Sequence, residues 1–323
     1  MKTSPAPQSV FFKGRDGDPR LGEWAQSIAI EEIHRSKQST FVLLGAPDDL
    51  GVRLNRGRPG AKNGPDAIRA ALYKFAFPRS KAFDRVRCLD VGNIHVSDQI
   101  LVTHENAYNA ASIASSCGAT LIALGGGHDF AAPHIMGYFS GLKTSEGTSR
   151  FGVINVDPHL DVREFENNLP HSGTPFRQIL ESGLVKGKNL MQFGAREGRN
   201  ARAHFDYCKT HKVNVLEFSN IRKKGDAVKQ FGSALAKLSK ETQKIALTID
   251  MDSCADMEGV SAAPVIGFSA WEICQFAQKA GANKKVAMLE LAEVAPDLDP
   301  TGRSQRIAAE VIFHFLIGRL ETL

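Results

Sequence analysis

The pattern that most restricts this chain is an alternation. Short apolar, β-branched runs recur along it, each closed by Gly, Asp or Pro, and segments with helical spacing lie between them. The runs are FVLLGAP from Phe41, RCLDVG from Arg87, TLIALGGGH from Thr120, FGVINVD from Phe151, NLMQFGA from Asn189, VNVLEF from Val213, KIALTID from Lys244 and KVAMLELA from Lys285. Strands that are apolar on both faces and alternate with helices build a parallel sheet covered on both sides. The pattern predicts an α/β fold with eight strands. Helices are expected from Gly64, Glu105, Thr174, Asp226, Ser269 and about Arg303. Ligands of such folds bind at the carboxyl ends of the strands.

Length and composition agree with a single large core. The 323 residues are 42% hydrophobic and 23% charged, which excludes disordered, collagenous and disulfide-stapled classes. Residues 1–40 read as an N-terminal extension packed on the domain, and residues 41–323 as that single domain. The net charge of +5 is spread along the chain, so nothing points to nucleic acid. Five scattered cysteines without a CxxC suggest reduced thiols. No signal-peptide core or membrane-length apolar run is present, and the sequence reads as that of a soluble, cytoplasmic protein.

The strand ends carry the chemistry. GGGHDF brings His128 after three glycines, NVDPHLDVRE carries Asp157, His159 and Asp161 at alternate positions, and TIDMDSCAD carries Asp250 and Asp252. In an extended segment alternate side chains share a face. Two His and four Asp are thereby expected at one rim of the sheet. Carboxylates packed together repel unless cations neutralise them, and mixed carboxylate and imidazole donors suit Mn²⁺ and similar ions. A lone His after glycines is ordinarily a loop residue, and Asp129 and Asp226 read as helix caps. The remaining histidines, His104 and His204 among them, read as structural. The glycine-rich polar loop from Asn55 to Asn63 reads as functional.

These motifs resemble the ureohydrolase superfamily of arginase, agmatinase and formimidoylglutamase. The likeness runs from about Gly45 to Ala309 through NRGRPGAKNGPDAIR, GGGHDF, DPHLD, SGTPF, IDMD, GVSAAP and EVAP. GGGH, HLDVR, SGTPF and GVSAAP lean toward the formimidoylglutamase branch. The resemblance implies a three-layer α/β/α arrangement, two Mn²⁺ per subunit and a homo-oligomer, trimer or hexamer. It implies that His128, Asp157, Asp161 and Asp250 hold one ion and that Asp157, His159, Asp250 and Asp252 hold the other. Pro158 and Ala295 depart from the family pattern.

The implied reaction is hydrolysis of a C–N bond in a linear amidine, foremost N-formimidoyl-L-glutamate to L-glutamate and formamide in histidine degradation. Asp161 and Glu293 are the expected catalytic carboxylates, with His171 a candidate proton shuttle. Asn55, Ser172 and Thr174 are expected to line the pocket, and Arg58, Arg163 and Arg196 to meet the substrate carboxylates. The alternatives are a guanidino-compound amidinohydrolase that releases urea and a non-catalytic metal-binding relative.

Overall fold

The structure is a computed structural model and describes residues 3–36, 38–142 and 150–323. Its strands are β1 (Thr3–Ser4), β2 (Ala25–Ser27), β3 (Ser39–Gly45), β4 (Val86–Ile94), β5 (Thr120–Leu124), β6 (Phe151–Val156), β7 (Leu190–Ala195), β8 (Asn214–Glu217), β9 (Lys244–Asp250) and β10 (Val286–Ala292). They form one sheet in the order β1-β4-β3-β5-β10-β9-β6-β7-β8, with β2 also paired to β4. Every pairing is parallel except β1 with β4. The eight expected strands are β3 to β10. Two further short strands bring the count among the described residues to ten, and both come from the N-terminal segment, too brief to leave a periodic signal.

Each face of the sheet carries its own apolar layer. Helices Gly64–Leu72, Ala227–Glu241, Ala270–Gly281 and Arg303–Leu320 contribute Ile68, Phe231, Phe276 and Phe315 to one. Helices Ile100–Ser116, Ala131–Gly141 and Pro175–Glu181 contribute Ala107, Ile135 and Phe176 to the other. The α/β/α layering follows from burying both faces of a parallel sheet. Helix Ala131–Gly141 escaped the sequence reading because eight of its eleven residues are buried, which erases the polar stripe that marks an amphipathic helix. Asp226 caps its helix by accepting from Lys229 N, as its position suggested.

The strand order sets the position of the chemistry. After β5 the chain crosses to β6, and β10 and β9 later fill the gap between them. The carboxyl ends of β5, β10, β9 and β6 therefore lie side by side, at the kind of crevice where α/β sheets bind ligands. Among the described residues no helix is long and apolar enough to cross a membrane.

Residues before Phe41 contribute to this core. Ala6, Val10, Leu21 and Ala25 are buried in the first apolar layer, and β1 and β2 cover the outer edge of β4. Leu21→Ala is expected to cost about 2–5 kcal/mol through lost burial and a residual cavity. Phe12→Ala, at a 42% exposed position, is expected to cost less than about 0.5 kcal/mol. Urea denaturation of the two variants checks the contrast.

Candidate metal centre

The acids and histidines singled out at the strand ends do converge, but by turns and not by strand alternation. Strand β6 stops at Val156, and Asp161 has a left-handed backbone, φ 47°. Asp157 Oδ1 accepts from His159 N at 2.6 Å, so the segment folds round its own carboxylate. After β9, Met251–Ser253 forms a short 3-10 turn, and Asp250 Oδ1 accepts from Asp252 N at 3.0 Å. Side-chain caps of this kind bend the backbone locally. The shared rim is as expected, and the geometric reason for it is corrected.

His128 Nδ1 lies 3.2 Å from Asp157 Oδ2, 2.9 Å from Asp161 Oδ2 and 3.3 Å from Asp250 Oδ2. His159 Nδ1 lies 3.3 Å from Asp157 Oδ1 and 3.2 Å from Asp252 Oδ2. Two groups able to hold a metal ion result: His128, Asp157, Asp161 and Asp250, and Asp157, His159 and Asp252. Asp157 belongs to both groups and Asp250 to the first. Glu293 completes the surround, its Oε1 accepting from His128 N at 3.0 Å. Like Asp161, it has a left-handed backbone, φ 68°.

The electrostatics of this cluster favour positive charge, whether protons or a cation. Burial and the charge of Asp157 push the Asp161 carboxyl up to about 6. Burial and Asp250 push Asp252 and Glu293 well above the carboxylate range. Burial alone would lower His128 and His159, yet the surrounding carboxylates hold both well above the ordinary imidazole value. Asp157 is also buried, but its hydrogen bonds to His128 and His159 outweigh that and lower it. Asp252 Oδ1 and Glu293 Oε2 are buried without a hydrogen-bond partner, a costly state for a carboxylate oxygen. Hard oxygens with one imidazole in each group fit divalent ions such as Mn²⁺.

A cavity of about 170 Å³ opens over the cluster. His159, Asp161, Asp250, Asp252 and Glu293 line it, together with Asn55, Arg163 and Ser172 from the expected set. Ser172 Oγ accepts from Asn55 Nδ2 at 3.0 Å. Three expected pocket residues are elsewhere. The Arg58 guanidinium donates to the carbonyls of Val260 and Ser261, and Arg196 Nη1 donates to Ile266 O, so both fasten loops. Thr174 is fully buried, its hydroxyl donating to His171 O. His171 is held between Gly173 N and Glu164 O through its two ring nitrogens and does not line the cavity. That geometry suits a loop anchor.

The sequence marks no role for Arg199, Asn200 and Ser261 and reads His204 as structural, yet all four are on the cavity wall. Arg199 and Asn200 follow the carboxyl end of β7, a location that could have flagged them. His104 Nε2 pairs with Asp129 Oδ2 at 2.7 Å. Asp129 is thus a buried partner and not a helix cap. Glycine is required in the run before His128, since a Cβ on Gly126 would stand 1.7 Å from Asp48 O.

The arginase-family profile matches residues 39–318. The chain belongs to the arginase family. It is 30% identical over 324 residues to the formimidoylglutamase of Streptococcus pyogenes, spanning 97% of this chain and 96% of that protein. The crystal structure of Trypanosoma cruzi formiminoglutamase with Mn²⁺ superposes with a TM-score of 0.79 at 30% identity, covering 94% of this chain and 99% of that one. Formimidoylglutamase from Bacillus subtilis gives a TM-score of 0.83 at 26% identity, covering 96% and 94%. Fold class and family thus agree with the resemblance read from the motifs.

Raised values in the folded arginase-family chain carry a sign. Protons on Asp161, Asp252, Glu293, His128 and His159 stabilise the fold fully at acid pH, and that contribution is lost as pH rises, for Asp161 through about 6. Chelator-treated protein is expected to lose the Asp161 contribution as pH rises from about 4 to about 6. Mn²⁺ should restore it, by about 2.7 kcal/mol at one hundred times Kd. A larger melting-temperature rise with Mn²⁺ at the higher pH, read by scanning calorimetry, checks this; no shift there would sink the metal reading.

Proposed function

We propose that this chain is a manganese-dependent hydrolase of linear amidines that converts N-formimidoyl-L-glutamate and water to L-glutamate and formamide. One observation carries the substrate class: the cavity is acidic at its buried floor and cationic at its exposed mouth. Asp161, Asp250, Asp252 and Glu293 on its wall are buried, whereas Arg163 and Arg199 are exposed. An amidinium at one end and two carboxylates at the other match that polarity. The similarity to formimidoylglutamases over nearly the whole chain supports the same reading.

In this reading His128, Asp157, Asp161 and Asp250 would hold one Mn²⁺, and Asp157, His159 and Asp252 together with Asp250 would hold the other. The two ions would supply Lewis acidity that makes water a competent nucleophile near neutral pH. Glu293 turns its unpartnered Oε2 to the amidinium nitrogens and fixes the carbon over the acids. Its Oε1 is already bound to His128 N, so the carboxylate has one free edge to offer. Asp161 is the group we assign to carry a proton to the departing nitrogen. Arg163 and Arg199 meet the glutamate carboxylates, and Asn55 with Ser172 fixes the wall between.

We further propose that residues 41–323 act as one catalytic domain with residues 1–40 packed on it, and that the enzyme is a cytoplasmic homo-oligomer. The five free cysteines support a reducing compartment. The exposed apolar side chains of Val265, Ile266 and Trp271 offer surface for a second copy.

Product analysis tests the substrate: Mn²⁺-loaded protein should release formamide from N-formimidoyl-L-glutamate and no urea from arginine or agmatine. The opposite pattern would move the chain to another branch of the family. Glu293→Gln is expected to lower kcat/KM about 100-fold or more by removing a transition-state contact. Arg199→Met should raise KM about tenfold or more with a smaller change in kcat, because it removes a contact made equally in ground and transition states. Steady-state kinetics separates the two.

A further inference from the structure

A row of buried polar residues crosses the sheet beneath the acid cluster. In the parallel register Gln192 of β7 stands beside Asn155 of β6, Asn155 beside Thr248 of β9, and Thr248 beside Glu290 of β10. All four are fully buried. Each interrupts a strand that is otherwise apolar except at its ends, which is expensive unless every group has a partner.

The bonds within the row run toward the site. Thr248 Oγ1 donates to Glu290 Oε2 at 2.8 Å, and His128 Nε2 lies 3.0 Å from the same Thr248 oxygen. A hydroxyl has one proton, and Glu290 receives it, so the His128 contact is an Nε2–H donated to Thr248. His134, fully buried on helix Ala131–Gly141, approaches the other Glu290 oxygen through Nδ1 at 2.7 Å. The chain is thus His128 to Thr248 to Glu290, with His134 holding the carboxylate from behind. Nε2 donates to Thr248, so Nδ1, which faces Asp157, Asp161 and Asp250, is the His128 nitrogen that would ligate a metal. On the other side of the row Asn155 Nδ2 bonds Asp157 Oδ2 at 3.2 Å and Gln192 Oε1 at 2.8 Å.

We propose that Thr248, Glu290 and His134 are positioning residues that fix the tautomer and ring orientation of His128 and so set the divalent-metal affinity of its group, selectively over the group built on His159. This rests on the two-metal reading given above. Among the described residues His159 belongs to no such chain: its Nδ1 faces Asp157 and Asp252, and the ring is a quarter exposed. Its group is therefore the internal control. Carboxylates behind ligand histidines tune metal affinity by about 10–100-fold in other sites, and here a threonine hydroxyl relays the effect across one strand.

The test is a Mn²⁺ titration of the full chain by calorimetry, with metal content after desalting as a second reading. Wild-type protein should take two ions. Thr248→Val, which keeps the shape and removes the hydroxyl, should weaken one ion about 10–100-fold and leave the other within about threefold. Thr248→Ser should restore the wild-type isotherm. Long-range ¹⁵N NMR of the chelator-treated protein reads the His128 nitrogens directly and should show Nε2 losing its hydrogen-bonded shift in Thr248→Val only. If Glu290→Gln fails to fold, the threonine pair still decides the matter. Two ions bound with unchanged affinity by Thr248→Val would overturn the relay and leave the hydrolase reading standing. A wild-type chain that binds no Mn²⁺ overturns both.

Discussion

Five buried carboxylates share one crevice with two imidazoles, and the rest of the structure is organised around making that arrangement tolerable. Asp157, Asp161, Asp250, Asp252 and Glu293 stand at the ends of three adjacent strands, with His128 from a fourth. Isolated, each ionised group would cost several kcal/mol to bury. Together they also repel, and the upward displacement of Asp161, Asp252 and Glu293 expresses burial first and that repulsion second. A pair of divalent cations would reverse the balance, because the Asp oxygens that repel one another would become its donors. Stability and catalysis therefore depend on the same event.

The fold contributes rigidity where the electrostatics are worst. Asp161 and Glu293 both sit in left-handed backbone, a conformation that costs a non-glycine residue about 1–3 kcal/mol unless its surroundings over-determine it. Those surroundings are visible: Asp161 O accepts from Phe176 N, and Glu293 N donates to Gly126 O. The glycine run before His128 brings backbone within reach of Asp48 O, where a side chain would collide. The apolar layers on both faces supply the stability from which such local strain is drawn.

Much of this was legible in the sequence because it was written in residue type. Apolar runs marked the eight long strands, and acids at their ends marked the rim, since a charged residue closing a buried strand is costly unless something binds it. What stayed hidden depended on three-dimensional path. DxHxD and DxD converge through turns stabilised by their own carboxylates, which spacing alone cannot distinguish from strand alternation. Arg58 and Arg196 were reasonable loop cations, yet each is satisfied by backbone carbonyls, while Arg199 reaches the cavity. A guanidinium in a loop carries no sequence mark of which way it turns. The short N-terminal strands were illegible for a different reason: two or three residues cannot show a period.

The polar row offers a more general lesson about parallel sheets. Asn155, Gln192, Thr248 and Glu290 belong to four different runs, and in one dimension each is a single blemish in an apolar pattern. Register aligns them, because parallel neighbours pair residues at matching depth, and a polar side chain in one strand then creates a demand for polar neighbours in the next. The demand ends at Ala123 of β5, which pairs with Glu290, and there His134 from the covering helix supplies the remaining bond. A run of such blemishes two or three positions before charged strand ends is therefore itself a signal. It says that the rim above is held from below by the sheet as well as by the turns that carry its acids.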